Sequence, residues 1–121
     1  MSDQFWVGVA IVGGLGAIGR FTLDGIVSQW FGRALPAGTF VINISGAFVL
    51  GLITGLALTR EASLLLGTAA VGSYTTFSTW MLETHRLGED GQLGPGLANV
   101  VLSVVLGVGA AAVGRVIGSH L

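Results

Sequence analysis

A dense polar patch lies inside an apolar stretch at residues 72–80, which read GSYTTFSTW. It combines one glycine with several hydroxyl side chains and three aromatic rings. Two of these rings, Phe77 and Trp80, are three positions apart and would share a helix face. Hydroxyl groups donate hydrogen bonds, and the edges of aromatic rings carry partial positive charge. This pattern can bind a small anion or a neutral polar solute.

Two other apolar runs carry amide side chains. Asn43 lies within GTFVINISGAFVLG (38–51), four positions after Thr39, and Asn99 is four positions before Ser103. Asn can also hold membrane helices together by hydrogen bonding, so both interpretations stay open for Asn43. The long apolar runs contain no carboxylate, which a cation path or a proton relay would normally use. The donor-rich pattern therefore favours an anion.

The sequence from Gly72 to Thr76 is poorly suited to a continuous helix. Glycine is flexible, and the hydroxyls of Thr75 and Thr76 compete for backbone hydrogen bonds. A break would leave carbonyl oxygens unpaired, which is tolerated at membrane depth only inside protein or beside a cavity. Such carbonyls can hold a cation. We predict that the third helix is broken near 72–76.

Charged residues divide the chain into four apolar runs. The uncharged stretches are 4–19, 34–59, 62–82 and 91–114. The last three can each cross a hydrocarbon core about 30 Å thick. The first is long enough only if it continues past Arg20 to Phe31, with Arg20 facing protein or water because charge in lipid is costly. The sequence predicts an all-α membrane protein with four transmembrane helices in one domain, residues 1–121.

The composition excludes several classes of protein. The chain is 52% hydrophobic and 9% charged, against about 25% charged in soluble domains. The net charge of −1 argues against a nucleic-acid partner, and the absence of Cys excludes a disulfide or a thiolate-bound metal. We expect no enzyme activity. The first run should be a retained span, since the residues before it include Asp3 and no Arg or Lys.

Small residues at helical spacing indicate close helix packing. Gly51 and Gly55 are four positions apart, as are Gly114 and Gly118. This spacing lets membrane helices approach closely, either within one subunit or between two subunits. The sequence leaves these alternatives equally open.

The positive charges are nearly balanced between the two sides of the membrane. With four spans, Arg60 and Arg115 lie on one side, and Arg33 and Arg86 lie on the other, together with Arg20 if it is counted. The positive-inside rule needs an imbalance to select an orientation. The sequence thus predicts insertion in both orientations, which permits an antiparallel dimer.

Four motifs in order resemble the Fluc (CrcB) family of fluoride channels. They are GGLGAIGRF (13–21), GTFVINISGAFVLG (38–51), GSYTTFSTW (72–80) and ANVVLSVVLG (98–107), which together cover essentially the whole chain. The resemblance implies a dual-topology antiparallel homodimer of four-helix subunits in a prokaryotic inner membrane. Pores along the dimer interface would release cytoplasmic fluoride passively through the lipid bilayer.

The resemblance also implies roles for particular residues. A structural sodium ion would be held at the break by backbone carbonyls of Gly72 and Thr75. The residues implied in the ion pathway are Arg20, Asn43, Phe77, Ser78, Thr79, Trp80, Asn99 and Ser103. Trp80 is the main departure, because many members have Phe there. Its indole N–H could contact the ion differently, or the ring could act in packing.

Two other classes of membrane protein stay open as alternatives. Small multidrug transporters also have four spans, but they depend on a glutamate in the first span, and residues 5–19 contain none. The second alternative is a membrane assembly subunit that transports nothing. Ion flux through the purified protein distinguishes these classes.

Overall fold

The computed structural model describes residues 2–32 and 36–121, and these ranges are helical with no β-strand. The elements in chain order are α1 (Asp3–Phe31), α2 (Ala37–Gly55), α3 (Arg60–Ser63), a π-helix (Leu64–Val71), α4 (Gly72–Tyr74), α5 (Ser78–Glu89) and α6 (Leu93–Ser119). The prediction of an all-α chain is confirmed for the described residues. Arg33, which the orientation argument counts, lies outside them.

The first helix continues well beyond the first charge, as the sequence predicts. Ser2 caps its start by accepting a hydrogen bond from the Phe5 N–H at 3.1 Å, and Asp3 follows in the first turn. The helix ends at Gly32, whose φ of 75° suits a residue without a Cβ. Its 29 residues correspond to about 43 Å, which is enough to cross a bilayer.

Three helices of the described chain are long and apolar enough to cross a membrane: α1, α2 and α6. The predicted third span is different, because it is divided into two helical segments. The first segment, residues 60–74, joins α3, the π-helix and α4 without interruption, and α5 forms the second. The four-span count therefore stays a prediction at this third crossing.

The π-helix packs against glycines of α1. A Cβ on Gly16 would overlap the carbonyl oxygen of Ala70, and one on Gly13 would come within 3.2 Å of the Ser73 Oγ. Only residues without a side chain allow this approach. The wide helical turns and the glycines thus bring α1 directly against the segment that leads into the break.

Helices α2 and α6 meet backbone to backbone. Four glycines share this geometry: Gly51, Gly55, Gly114 and Gly118. A Cβ on Gly51 would overlap the carbonyl oxygen of Ala111, and a Cβ on Gly114 would overlap that of Phe48. These glycines therefore pack within one subunit, which decides between the two alternatives that the sequence left open.

We expect Gly114→Ala to destabilise the fold, because the added methyl group must displace backbone of α2. Overpacking of this kind costs about 1–3 kcal/mol in free energy of unfolding. Gly109→Ala on the same helix is the matched control, since a Cβ there has nothing within 4 Å. The measurement is heat resistance of the detergent-solubilised protein. Equal stability of the two variants would contradict this packing.

Candidate functional site at the break in the third helix

The break lies at residues 75–77. Thr75 has extended backbone angles, φ −82° and ψ 163°, and its N–H and hydroxyl both donate to the Val71 carbonyl oxygen, at 2.9 and 3.0 Å. Gly72 is helical, with φ −61° and ψ −36°. The prediction of a break near 72–76 is confirmed, and the structure narrows it, because residues 72–74 are still helical and the chain leaves the helix at Thr75. Helical angles suit glycine as well as other residues, so Gly72 alone does not force a break.

Asn43 of α2 takes over the hydrogen bonds that the broken helix gives up. Its Nδ2 donates to the Thr76 carbonyl oxygen at 2.8 Å, and its Oδ1 accepts from the Thr76 N–H at 2.9 Å. The side-chain amide therefore pairs with both polar groups of one peptide residue. Asn43 fixes the break to α2, in agreement with the helix-joining role that the sequence left open for it.

Thr76 also starts the second helical segment. Its Oγ1 accepts from the Thr79 N–H at 3.2 Å and donates to the Thr79 Oγ1 at the same distance. The hydroxyl of Thr76, which directly precedes the N-cap Phe77, thus satisfies a free N–H in the first turn of α5. The hydroxyls of TTFST therefore serve first to end one helix and begin the next.

Carbonyl oxygens remain free where the first segment ends. Within residues 36–121, no N–H or hydroxyl donates to the carbonyl oxygens of residues 72–75. The Thr76 N–H, which would otherwise reach Gly72, is bound to Asn43. A Cβ on Gly72 would meet nothing within 4 Å, so the space beside it is open. The break thus presents a row of unpaired oxygens.

The two aromatic rings lie beside the break. Phe77 and Trp80 are 5.7 Å apart between centroids and inclined at 77°, which is an edge-to-face arrangement. Phe77 leaves 70% of its surface exposed. A groove of about 320 Å³ is lined by both rings, Asn43, Thr75, Thr76 and four apolar residues, with no carboxylate. Four predicted site residues, Asn43, Thr75, Phe77 and Trp80, are brought together here.

Arg20 lies beside a second cavity, which also borders the break at Thr76. It lines a cavity of about 210 Å³ together with Asp24, Thr39, Thr76 and Thr79. Thr76 borders this cavity and the groove, so the two spaces are separated by the peptide that Asn43 holds. Arg20 faces protein groups, as the sequence predicts. Ser78 is exposed on α5.

The predicted polar stripe of α6 lies against α5. Asn99 Nδ2 donates to Thr84 Oγ1 at 2.8 Å, and Thr84 Oγ1 donates to the Trp80 carbonyl oxygen at 2.8 Å. Ser103 Oγ is buried and has no partner in the described chain. The structure therefore separates the two α6 residues: Asn99 joins helices, and Ser103 retains a free hydroxyl.

Sequence reasoning missed two polar residues that position this site. Thr84 links α5 to α6, and its spacing of four from Trp80 was the available signal. Tyr74, the last residue of α4, shares a hydrogen bond of 2.8 Å between its hydroxyl and Ser45 Oγ of α2. No local pattern pairs Tyr74 with Ser45, because the two residues are 29 positions apart.

The fold and site together define a small, all-helical membrane protein with a polar break next to aromatic rings. A protein-family model with the description "CrcB-like protein, Camphor Resistance (CrcB)" matches residues 7–115 of this chain. The chain belongs to the CrcB family, which is a family of ion channels and not of enzymes.

Relatives of the chain carry the name of a fluoride-specific ion channel. "Fluoride-specific ion channel FluC 2" of Mycolicibacterium paratuberculosis is 61% identical over 110 residues, covering 91% of this chain and 90% of the relative. The protein of that name in Mycobacterium bovis is 54% identical, covering 95% and 91%. "Fluoride-specific ion channel FluC 1" of Symbiobacterium thermophilum is 38% identical, covering 93% and 96%. The resemblance that the motifs indicated is thereby confirmed.

We expect Asn43→Leu to loosen the break, because leucine has a similar shape and can form neither bond to Thr76. Leaving the Thr76 groups unpaired should cost about 1–3 kcal/mol in free energy of unfolding. Hydrogen exchange of the peptide covering residues 72–80 should accelerate.

Thr54→Val is the matched control on the same helix, since the exposed Thr54 hydroxyl bonds only to the Leu50 carbonyl oxygen of its own helix. Unchanged exchange in Asn43→Leu would show that the break holds without the amide.

Proposed function

We propose that the protein is a fluoride-selective channel that lets fluoride leave the cytoplasm passively. The observation that carries this proposal is the groove at the break, which is lined by the Asn43 amide, two threonines, two aromatic rings and four apolar residues and contains no carboxylate. Its place in a family whose named members are fluoride-specific channels supports the choice of ion. Fluoride enters acidified cells as neutral HF and dissociates inside, so a passive anion leak is protective.

The groups along the groove suit a small anion that accepts strong hydrogen bonds. An amide nitrogen carries two hydrogens, and Asn43 uses one for Thr76, so its second N–H is available. In the neighbouring cavity, on the other side of Thr76, Thr79 Oγ1 accepts from Thr76 and keeps its own hydrogen for donation. The exposed Phe77 ring offers its positive edge. In this proposal Asn43 holds the break and also contacts the ion.

A second copy of the chain would complete the pathway. Phe77, Ser78 and Thr79 are exposed in the subunit, at the start of a helix that the proposal places within the membrane. Hydroxyls and free carbonyls facing lipid are unfavourable, so water or protein must cover them. We assign the cover to a second subunit in antiparallel orientation, as the balanced arginines permit. In this proposal the segments 60–74 and α5 together form the third of four crossings, in the inner membrane of a prokaryotic cell.

The free carbonyls at the break fit a structural sodium ion. Sodium, like other hard cations, prefers oxygen ligands, and the carbonyl oxygens of residues 72–75 accept no other bond in the described chain. The Thr75 hydroxyl is committed to Val71, so its carbonyl is the group that would bind. Gly72 and Thr75 would therefore hold the ion through main-chain oxygens. When bound, the cation would satisfy the break and offset negative potential near the anion path.

The two alternative classes have less support. A multidrug-type transporter would need a carboxylate among the lining residues, and the groove has none. An assembly subunit without transport would not need free donors beside an open groove.

We expect the purified protein in liposomes to release fluoride but not chloride, measured with ion-selective electrodes. Phe77→Ile should abolish fluoride efflux, because the ring edge is lost while bulk is kept. Phe31→Ile is the matched control, since Phe31 is exposed to 69% at the far end of α1. Its efflux should equal that of the unmodified protein. Comparable chloride and fluoride rates would refute the selectivity.

The assembly has two expected signatures. A tag at the C-terminus should be accessible from both faces of the cell membrane, because the dimer needs both orientations. Heat resistance of the dimer in detergent should fall when sodium is replaced by a large organic cation. A single orientation rules out the antiparallel dimer, and indifference to sodium rules out the cation site.

A further inference from the structure

The tyrosine hydroxyl at the end of the first helical segment is bonded to α2. Tyr74 is the last residue of α4, and its hydroxyl oxygen lies 2.8 Å from Ser45 Oγ. Ser45 has a single hydroxyl hydrogen, which it donates to the Ile42 carbonyl oxygen at 3.0 Å. The Tyr74 hydroxyl is therefore the donor in this pair, and Ser45 Oγ is its acceptor.

The Tyr74 ring lies between glycines of α1 and α2. A Cβ on Gly46 of α2 would come within 3.4 Å of the ring, and a Cβ on Gly19 of α1 would lie 3.8 Å from it. The same Cβ on Gly46 would overlap the methyl group of Thr75. Packing thus places the ring, and the hydroxyl is the part of Tyr74 that can be removed without changing this packing.

Helix α2 binds the break on both sides of Thr75. Asn43 forms two hydrogen bonds with the backbone of Thr76, and Ser45 accepts the bond from Tyr74. Asn43 and Ser45 are two positions apart, which is about 3 Å along the helix axis. The residue between the two attachments, Thr75, carries one of the free carbonyl oxygens of the break.

The attachment at Thr76 does not by itself fix the helical turn before the break. The last turn of a helix frays readily, because its carbonyl oxygens have no N–H partners within the helix. Tyr74 belongs to this turn, and so does Gly72. The bond from Tyr74 to Ser45 therefore opposes fraying at the place where the free carbonyl oxygens lie.

We propose that the Tyr74 hydroxyl is a positioning group for the cation site. Its bond to Ser45 holds the turn that carries the free carbonyl oxygens of residues 72–75, so that they are in place before sodium binds. This inference rests on the proposed function and deepens its account of the cation site. Tyr74 acts through the backbone, and its hydroxyl does not contact the ion. A site whose binding arrangement is only partly populated binds its ligand more weakly in proportion, so the bond raises the sodium affinity.

The test is Tyr74→Phe, which removes the hydroxyl and keeps the ring. Heat resistance of the protein in detergent is measured while sodium is exchanged for N-methyl-D-glucamine at constant ionic strength. The sodium concentration that gives half of the full effect should rise about fivefold, as expected for loss of one neutral hydrogen bond. Ser45→Ala should give the same rise. The double variant should give no further rise, because each change removes the same bond.

Thr54→Val is the matched control on α2. Thr54, like Ser45, donates to a carbonyl oxygen of its own helix, that of Leu50 at 2.9 Å, and this bond connects no other element. Its sodium requirement should equal that of the unmodified protein. This control separates the bond to Tyr74 from the bond that Ser45 makes within α2.

Hydrogen exchange gives a readout that does not depend on heat resistance. In sodium-free buffer, the peptide covering residues 72–80 should exchange faster in Tyr74→Phe than in the unmodified protein. Saturating sodium should remove most of this difference, because ion binding holds the same turn. A purely structural hydroxyl would instead produce a difference that sodium leaves in place.

Three results overturn the proposal. An unchanged sodium requirement in both Tyr74→Phe and Ser45→Ala, with the sodium response of the unmodified protein intact, makes Tyr74 a packing residue and leaves the proposed cation site standing. Faster exchange that persists in saturating sodium has the same meaning. An unmodified protein that does not respond to sodium refutes the cation site and this inference with it, while the fluoride and chloride efflux rates still decide the proposed selectivity.

Discussion

Every backbone N–H and carbonyl inside a membrane must be satisfied by the protein, and this constraint governs the whole structure. The break at residues 75–77 would violate it if the chain left the helix without substitutes. Asn43 supplies two of them, through its bonds of 2.8 and 2.9 Å to the Thr76 backbone. The Thr76 hydroxyl supplies a third at the Thr79 N–H. The N–H groups of Thr76 and Thr79 are therefore satisfied within the subunit although the helix is interrupted.

The position of Asn43 depends in turn on helix packing that contains no polar chemistry. Glycines on α2 and α6 allow the two backbones to touch, and α2 packs between α6 on one side and α1 and the π-helix on the other. Thr39 and Ile42, the neighbours of Asn43 toward the start of α2, are almost fully buried. This packing positions the Asn43 amide opposite the backbone of Thr76. Close backbone packing is thus the mechanical support of the polar site.

The polar groups that have no hydrogen-bond partner in the described chain form two sets. In the described chain the carbonyl oxygens of residues 72–75 are acceptors without a donor, and Trp80 Nε1 and Ser103 Oγ are donors without an acceptor. Acceptors attract cations and donors attract anions, so a single interruption of a helix creates complementary surfaces. In the proposed function, the first set would hold a fixed cation and the second would contact a mobile anion.

The sequence by itself determined the class of the protein and the region of its site. Apolar runs between charges predicted membrane helices, and α1, α2 and α6 confirm them, because length and hydrophobicity act locally. Glycine and threonine in GSYTTFSTW predicted an interruption of the third run for the same local reason. The motifs also indicated the family, which the relatives confirm.

Only the tertiary structure decided where the break begins and which polar groups stay free. The chain departs at Thr75 and not at Gly72, because Asn43, which is 33 positions away, binds the backbone of Thr76. Likewise, the Asn99 bond to Thr84 commits one amide and sets the register that leaves Trp80 and Ser103 without partners. The glycine spacing allowed contacts within or between subunits, and the packing of α2 on α6 selected the former. A hydrogen-bond partner from another helix is a property of the assembled fold, so no local pattern in the sequence can specify it.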